Sequence, residues 1–287
     1  MKLLIIGPNS KENKMLVKAA QQSGHDVLLC SLNKISFIIK NNELKAWMNG
    51  NVLADYDICL FRGIAPHFAK AKTLAKYLHF HKVKVIDREL YSRVYEFDKM
   101  FMTFEFFQKD LPCVDSFHFS SNKELRKNIG KLPDQIFIKD IQGMHSRNIF
   151  YFESKEKFQD FFKKHKAKKF LIQKTVKEDY YYRVLVVGDK VLGAMKRMSY
   201  LNPAREKTSL PSRSSAAQLT QELKQLALKA ARATNTDIAG VDIIYDQDKP
   251  KLLEVNRSPK FKRFTQVMKI NVAPEIIKYL EKQKQII

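Results

Sequence analysis

In the first hundred residues, apolar runs of strand length alternate with stretches of helical spacing, and few architectures accept that order. Residues 3–6, 26–30, 58–61 and 83–86 are the apolar runs. Residues 13–23 place Met15, Leu16, Ala19 and Ala20 on one helical face and close at Gly24, and 69–80 repeat the spacing before the fourth run. Strands alternating with helices predict a parallel α/β sheet. The pattern then changes. Residues 98–107 read as a helix broken at Leu111-Pro112, and 117–119, 136–138, 147–152 and 170–173 read as strands around a helix at 155–164. Residues 182–187 and 191–195 form a hairpin with Gly188-Asp189 at its turn. Residues 202–216 are polar and patternless and read as a surface loop, and an amphipathic helix covers 218–234. Short strands at 243–245 and 252–255 flank an Asp-Gln-Asp-Lys turn, and 272–283 form a closing helix. The order is a small α/β lobe, an α+β middle and a larger α+β lobe, so a ligand site is expected between lobes.

Lys and Arg number 52 against 30 Asp and Glu, a formal charge of +22. That excess points to an anionic partner, whether nucleic acid, anionic lipid or an acidic small molecule or peptide, or else to a Lys-rich solvated surface. Aromatic content excludes a disordered chain, and 9 Gly and 9 Pro exclude a collagen-like one. No apolar run reaches the roughly 20 residues of a membrane span. The opening Met1–Gly7 run is too short for a signal peptide and reads as the first strand, which implies a cytoplasmic protein. Cys30, Cys59 and Cys113 are too scattered for a disulfide framework or a zinc site, with Cys59 expected in the core.

The chemistry concentrates near the C-terminus. Gly240-Val241-Asp242-Ile243-Ile244 precedes Leu252-Leu253-Glu254-Val255-Asn256-Arg257-Ser258-Pro259. Asp242 opens one strand, and Glu254 and Asn256 share a face of the next. Oxygen donors set among apolar residues suit Mg²⁺, which completes its shell with water and phosphate. The competing reading, an exposed acidic hairpin, applies to Asp246 and Asp248. Cations stand at strand ends: Lys139 after 136–138, Lys174 after Gln173, Arg183 at the start of the hairpin, and Lys196-Arg197 at its close, with Arg205 and Arg213 in the polar loop. Beside Mg²⁺, such cations neutralise phosphate oxygens. The seven His show no metal or triad spacing.

These segments resemble the RimK-type ATP-grasp ligases, which include ribosomal-protein glutamate ligases. The resemblance rests on Arg183 through Arg197, Ala230-Ala231-Arg232, Asp237 through Asp242 and Glu254-Val-Asn256-Arg-Ser-Pro259, with Asp98-Lys99 and Gly24-His25 in matching order. It implies an ATP-grasp fold of mixed α/β and α+β class. Its parts would be an N-terminal parallel α/β domain (1–95), a small central domain (96–174) and a C-terminal antiparallel-sheet domain with the metal site (175–287). The implied activity is ATP- and Mg²⁺-dependent joining of a carboxylate to an amine through an acyl phosphate, with Mn²⁺ as substitute ion. The implied partners are ATP, an amino-acid donor such as glutamate, and an acidic peptide, protein or metabolite acceptor; self-association fits the family.

By position, Lys99, Lys139 and Gly143 would meet ATP phosphates, with Arg183 beside them. Gln173, Lys174, Thr175 and Val176 would form the adenine-facing hinge. Asp242, Glu254 and Asn256 would hold the metal, Arg197 and Arg205 would flank the γ-phosphate and acyl phosphate, and Arg62 would face the substrate. Phosphoryl transfer needs positioning and charge, not a nucleophile, which matches the lack of a Ser-His-Asp or Cys-His set. The chain departs from the family at its glycine-poor 142–148 loop, where His145 or Arg147 could replace backbone contacts. It departs again at Lys174, where Glu is usual and Glu178 or Asp179 could substitute, at Tyr181, where relatives carry Asp, and at Lys260-Phe261-Lys262-Arg263. Two alternatives remain: a non-catalytic relative that binds a polyanion such as nucleic acid, and an ATP-grasp enzyme of other chemistry.

Overall fold

The structure is a computed structural model describing residues 1–40, 43–91, 98–141, 149–199 and 214–284, without the side chains of 88 and 89. Strands Lys2–Ile6, Asp26–Cys30, Ile58–Phe61 and Lys84–Ile86 form a parallel sheet, with Lys2–Ile6 and Ile58–Phe61 at its centre. Leu3, Leu4, Ile5 and Ile6 are all fully buried, so both faces are covered, as an all-parallel sheet requires. One face packs on helices Lys11–Gln22 and Val272–Lys284, the other on Phe68–Phe80. The closing helix therefore shares a core with the first strand, and Leu3, Ile5, Ile58, Phe261, Phe264, Ile276 and Leu280 belong to it together.

A small antiparallel sheet, Ser36–Lys40, Glu43–Met48 and Asn51–Val52, interrupts this lobe. Its first strand exposes Ile38 and Ile39, so no buried face marked it in the sequence.

The middle sheet runs Ile149–Phe152, Ile136–Asp140, Phe170–Lys174, Ser116–Phe117. Ile136, Ile138, Phe170 and Ile172 face helix Lys155–Lys164, which contributes Phe158 and Phe162. Phe158 is fully buried, its ring 4.8 Å from that of Phe162 and 5.7 Å from that of Phe152. Phe158→Ala is expected to cost about 3–5 kcal/mol, read as a lower urea midpoint.

The third sheet runs Ser214–Ala217, Lys190–Met198, Tyr180–Val187, Ile238–Asp246, Lys249–Asn256, all antiparallel. Helix Gln221–Ala233 covers one face with Leu223, Leu226, Ala227 and Ala230 over Val184, Val186, Val241 and Ile243. Side-chain oxygens cap five helices at the residues expected of such caps, Ser10, Asp98, Ser121, Ser154 and Thr220.

Three sequence expectations need correction. Residues 214–216, read as the end of the polar loop, belong to the strand Ser214–Ala217, paired with 194–197. The strands around Asp242 and Glu254 are longer than read, so Asp242 lies within its strand. Asp246 is not an exposed hairpin acid: Lys174 and Lys251 lie 3.1 and 3.5 Å from it, and its side chain is 14 % exposed. Among the described residues no helix is long and apolar enough to cross a membrane.

Candidate active site

The middle and third sheets face each other across a cleft, and strand alternation decides which side chains line it. In the middle sheet, Ile136 and Ile138 point to the core. Phe137 and Lys139 therefore point to the cleft, beside their ladder partners Gln173 and Leu171. In the third sheet, Arg183, Asp242 and Glu254 are register neighbours on adjacent strands. A register shift follows Asp242, where Leu253 is the extra residue of a β-bulge. Leu252 and Val255 remain in the core beneath, while Leu253 and Glu254, though consecutive, both reach the cleft region.

Arg183 grips Asp242 with two hydrogen bonds, Nε to Oδ1 at 2.6 Å and NH2 to Oδ2 at 2.5 Å, and its NH2 is 4.0 Å from Glu254 Oε1. Burial works against the Arg183 charge, but the Asp242 carboxylate outweighs it and leaves the guanidinium pKa raised. Burial also pushes the Asp242 carboxyl up, and Arg183 offsets only part of that. Glu254 goes the other way: burial raises it, but Lys139, Arg183, the Asn256 amide and Lys99 together hold it below the ordinary carboxylate range. Asn256 Nδ2 donates to Glu254 Oε1 at 3.1 Å, to Gly240 O at 3.2 Å and to Asp242 Oδ2 at 3.4 Å. From the opposite wall, Lys139 is 8 % exposed and Lys99 Nζ donates to Asp140 O at 2.8 Å. Burial lowers both lysine pKa values, with Glu254 pulling against it. Arg197 lies over the Tyr181 ring at 5.6 Å and acts on Asp242 through space.

Behind these charges is an apolar slot. Val114, Phe137, Val176, Tyr181, Ile244 and Leu253 line it, together with Lys139, Gln173, Lys174 and Ser199. Gln173 Nε2 donates to Ser116 Oγ, and Lys174 Nζ donates to Asp246, which fixes that ammonium beside the slot. Thr175 is buried and its hydroxyl has no partner in the structure.

The structure thus brings Lys99, Lys139, Arg183, Arg197, Asp242, Glu254 and Asn256 together, with Gln173, Lys174 and Val176 at the slot and Thr175 buried between them. Gly143, His145, Arg147, Arg205 and Arg213 lie outside the described residues. Arg62 is 4 % exposed and set against Pro259 at the lobe interface. Sequence reasoning missed the slot walls Val114, Phe137, Tyr181, Ile244 and Leu253; alternation against the core face would have found Phe137. It also missed Asp246 as partner of Lys174.

Among the described residues no three His, Cys, Asp or Glu side chains converge. The set here is two carboxylates and an amide. Asp242 Oδ1 gives one lone pair to Arg183 and keeps another, while Oδ2 accepts from both Arg183 and Asn256. The remaining lone pairs of Asp242 and Glu254, with the Asn256 carboxamide oxygen, fit a hard divalent ion that completes its shell with water and phosphate.

Residues 113–280 match the RimK-like ATP-grasp domain. A probable alpha-L-glutamate ligase of Marinomonas sp. (strain MWYL1) is 26 % identical over 290 residues, covering 98 % of this chain and 96 % of that one. The ATP-grasp ligase PsnB, solved with a minimal precursor, Mg and ADP, superposes with a TM-score of 0.74 at 16 % identity over 99 % of this chain and 97 % of that one. A RimK-domain ATP-grasp protein from Sphaerobacter thermophilus superposes with a TM-score of 0.70 at 15 % identity over 97 % of this chain and 99 % of that one. With more than half its length matched to the domain, and with the cleft already built from two facing sheets, the chain belongs to the RimK-like ATP-grasp family.

Proposed function

We propose that the chain is an ATP-dependent ligase that joins a carboxylate to an amine through an acyl phosphate, adding an amino acid such as glutamate to an acidic peptide, protein or metabolite. The observation that carries this is the row Arg183–Asp242–Glu254 facing Lys99 and Lys139 beside an apolar slot. It offers anionic and cationic groups for a metal–triphosphate and an apolar space for a base. The likeness to proteins named glutamate ligases supports the donor class.

Each group has a role in this reading. The 173–176 hinge and the slot hold the adenine. Lys99 and Lys139 place the phosphates, and Arg183 orients Asp242 so that it, Glu254 and Asn256 can hold Mg²⁺, with Mn²⁺ as substitute. Bound metal supplies charge neutralisation at the transferring phosphoryl group. Arg197, with Arg205, stabilises charge as a substrate carboxylate oxygen attacks the γ-phosphorus and ADP leaves. The acceptor amine then attacks the acyl carbon, and phosphate departs as the amide forms.

ADP release with MgATP, glutamate and acidic acceptor peptides tests the proposal. Acceptor-stimulated release is expected, with a loss of at least about a hundredfold in Asn256→Ala. No stimulation by any acceptor, or full activity in the variant, would sink it. The +22 charge favours one second reading, polyanion binding without catalysis. That reading predicts RNA or DNA affinity falling steeply with salt, with no acceptor-stimulated ADP release.

A further inference from the structure

The strand that carries Glu254 and Asn256 ends at Asn256, and the chain leaves it through Arg257, Ser258, Pro259 and Lys260. A strand end with nothing to hold it frays, yet a ligand side chain must be placed to within about half an ångström. The residues that hold this exit come from the far end of the molecule. Arg62, just past strand Ile58–Phe61, donates from NH2 to Pro259 O at 2.7 Å, and its guanidinium lies over the Phe261 ring at 5.4 Å. The next residue, Gly63, donates its N–H to Ser258 Oγ at 3.1 Å. Asp87, just past strand Lys84–Ile86, accepts from Arg257 NH1 at 2.9 Å, while Arg257 NH2 donates to Thr234 O at 2.6 Å.

Each residue from 257 to 259 is therefore tied to the C-terminal ends of two parallel strands. On its other side Pro259 presses on the ligand strands: a Cβ on Gly240 would fall 2.9 Å from Pro259 Cβ, so only glycine fits. Gly240 O is in turn an acceptor for the Asn256 amide.

Arg62 is an expensive way to make a lobe contact. A guanidinium that is 4 % exposed and spends one hydrogen bond on a neutral carbonyl, with Nε left unpartnered, is a poor source of stability. A long, planar, always-charged donor is instead suited to fixing one backbone position rigidly.

We propose that Arg62 and Asp87 are positioning residues through which the N-terminal lobe fixes the 257–259 exit, and so sets Asn256 and Glu254 for the metal. The proposal rests on the reading of those two side chains as metal-facing. It makes metal affinity a property of the N-terminal lobe, which itself contributes no metal ligand.

The test is Mn²⁺ binding to the protein–ADP complex, followed by electron paramagnetic resonance, beside ADP affinity without metal and the Mg²⁺ requirement of ADP release. Arg62→Lys and Asp87→Asn are each expected to weaken Mn²⁺ binding about tenfold, the scale of groups that orient metal ligands, and to raise the Mg²⁺ requirement in parallel. Metal-free ADP affinity is expected to stay within about twofold, and Asp87→Glu to restore part of the loss. Unchanged Mn²⁺ affinity in both variants, whatever their Tm, overturns the proposal. Should Arg62→Lys fail to fold, Ser258→Ala removes a single exposed bond and is expected to weaken Mn²⁺ about two- to threefold; no change there overturns it equally. Wild-type protein that binds no Mn²⁺ with ADP overturns the proposed function and this inference together, whereas wild-type binding with unaffected variants overturns the inference alone.

Discussion

Arg183→Met is expected to lower the unfolding free energy by about 3–5 kcal/mol, because it leaves the Asp242 carboxylate buried without its counter-charge. Asp242 is 3 % exposed, and both of its oxygens are engaged by Arg183 at 2.5 and 2.6 Å. The Asn256 amide at 3.4 Å is too distant to take over that role. The penalty comes from the orphaned charge, not from the strength of the lost bond. The double variant Arg183→Met/Asp242→Leu should therefore recover most of the stability, since a well-packed apolar pair often equals or exceeds a buried ion pair. It should recover no ADP release, since Asp242 is then gone from the cleft. Urea titration of the three proteins decides the matter. A single-variant loss below about 1 kcal/mol would show that the pair is not the buried ionic contact described here.

Lys139→Met is expected to show the opposite balance. On the role proposed for Lys139 beside the phosphates, its removal should cut acceptor-stimulated ADP release by about 10²–10³-fold. Folding stability should hold or rise. Burial already works against the charged form of Lys139, and a methionine fits the same space with no charge to desolvate. Glu254 keeps Arg183, the Asn256 amide and Lys99 as partners. Thermal melts beside single-turnover rates check both halves. A large fall in Tm would show that Lys139 is needed to hold the fold, and full activity would remove it from the phosphate site.

The parallel lobe was legible because its strands are buried on both faces and so appear as unbroken apolar runs. The cleft acids were legible for a related reason: Asp242 and Glu254 interrupt apolar stretches, and position along the chain sufficed to pair their strands. What failed to read has physical causes. Ser214–Ala217 is built from small residues with no alternation, and its membership of the sheet comes from the neighbouring Ala194–Arg197 ladder. Asp246 sits where a turn acid is normally solvated, and it is covered by Lys251 across its own hairpin and by Lys174 from a strand some seventy residues away. Arg62 could be placed at a strand end by counting, but its burial depends on Phe261 and Pro259, about two hundred residues away, and nothing local encodes that. Val176 was expected at the slot; Val114, Phe137, Ile244 and Leu253 escaped because they are ordinary core residues by type.

The irregularity at Leu253 has a consequence for how such a cleft can change. In a regular strand, every second side chain belongs to the interior, and adding a residue reverses the assignment of all that follow. At this position the reversal has already been absorbed. Leaving out Leu253 would produce Leu252, Glu254, Val255, Asn256 in plain alternation, with the acid and the amide still facing outward and the two apolar residues still inward. The strand therefore has one place where its length can be edited without scrambling the acid and the amide that face the cleft, and the residue inserted there lines the slot. The slot and the acid–amide row share a backbone, yet one can be enlarged, narrowed or refilled through a single codon while the other keeps its phase.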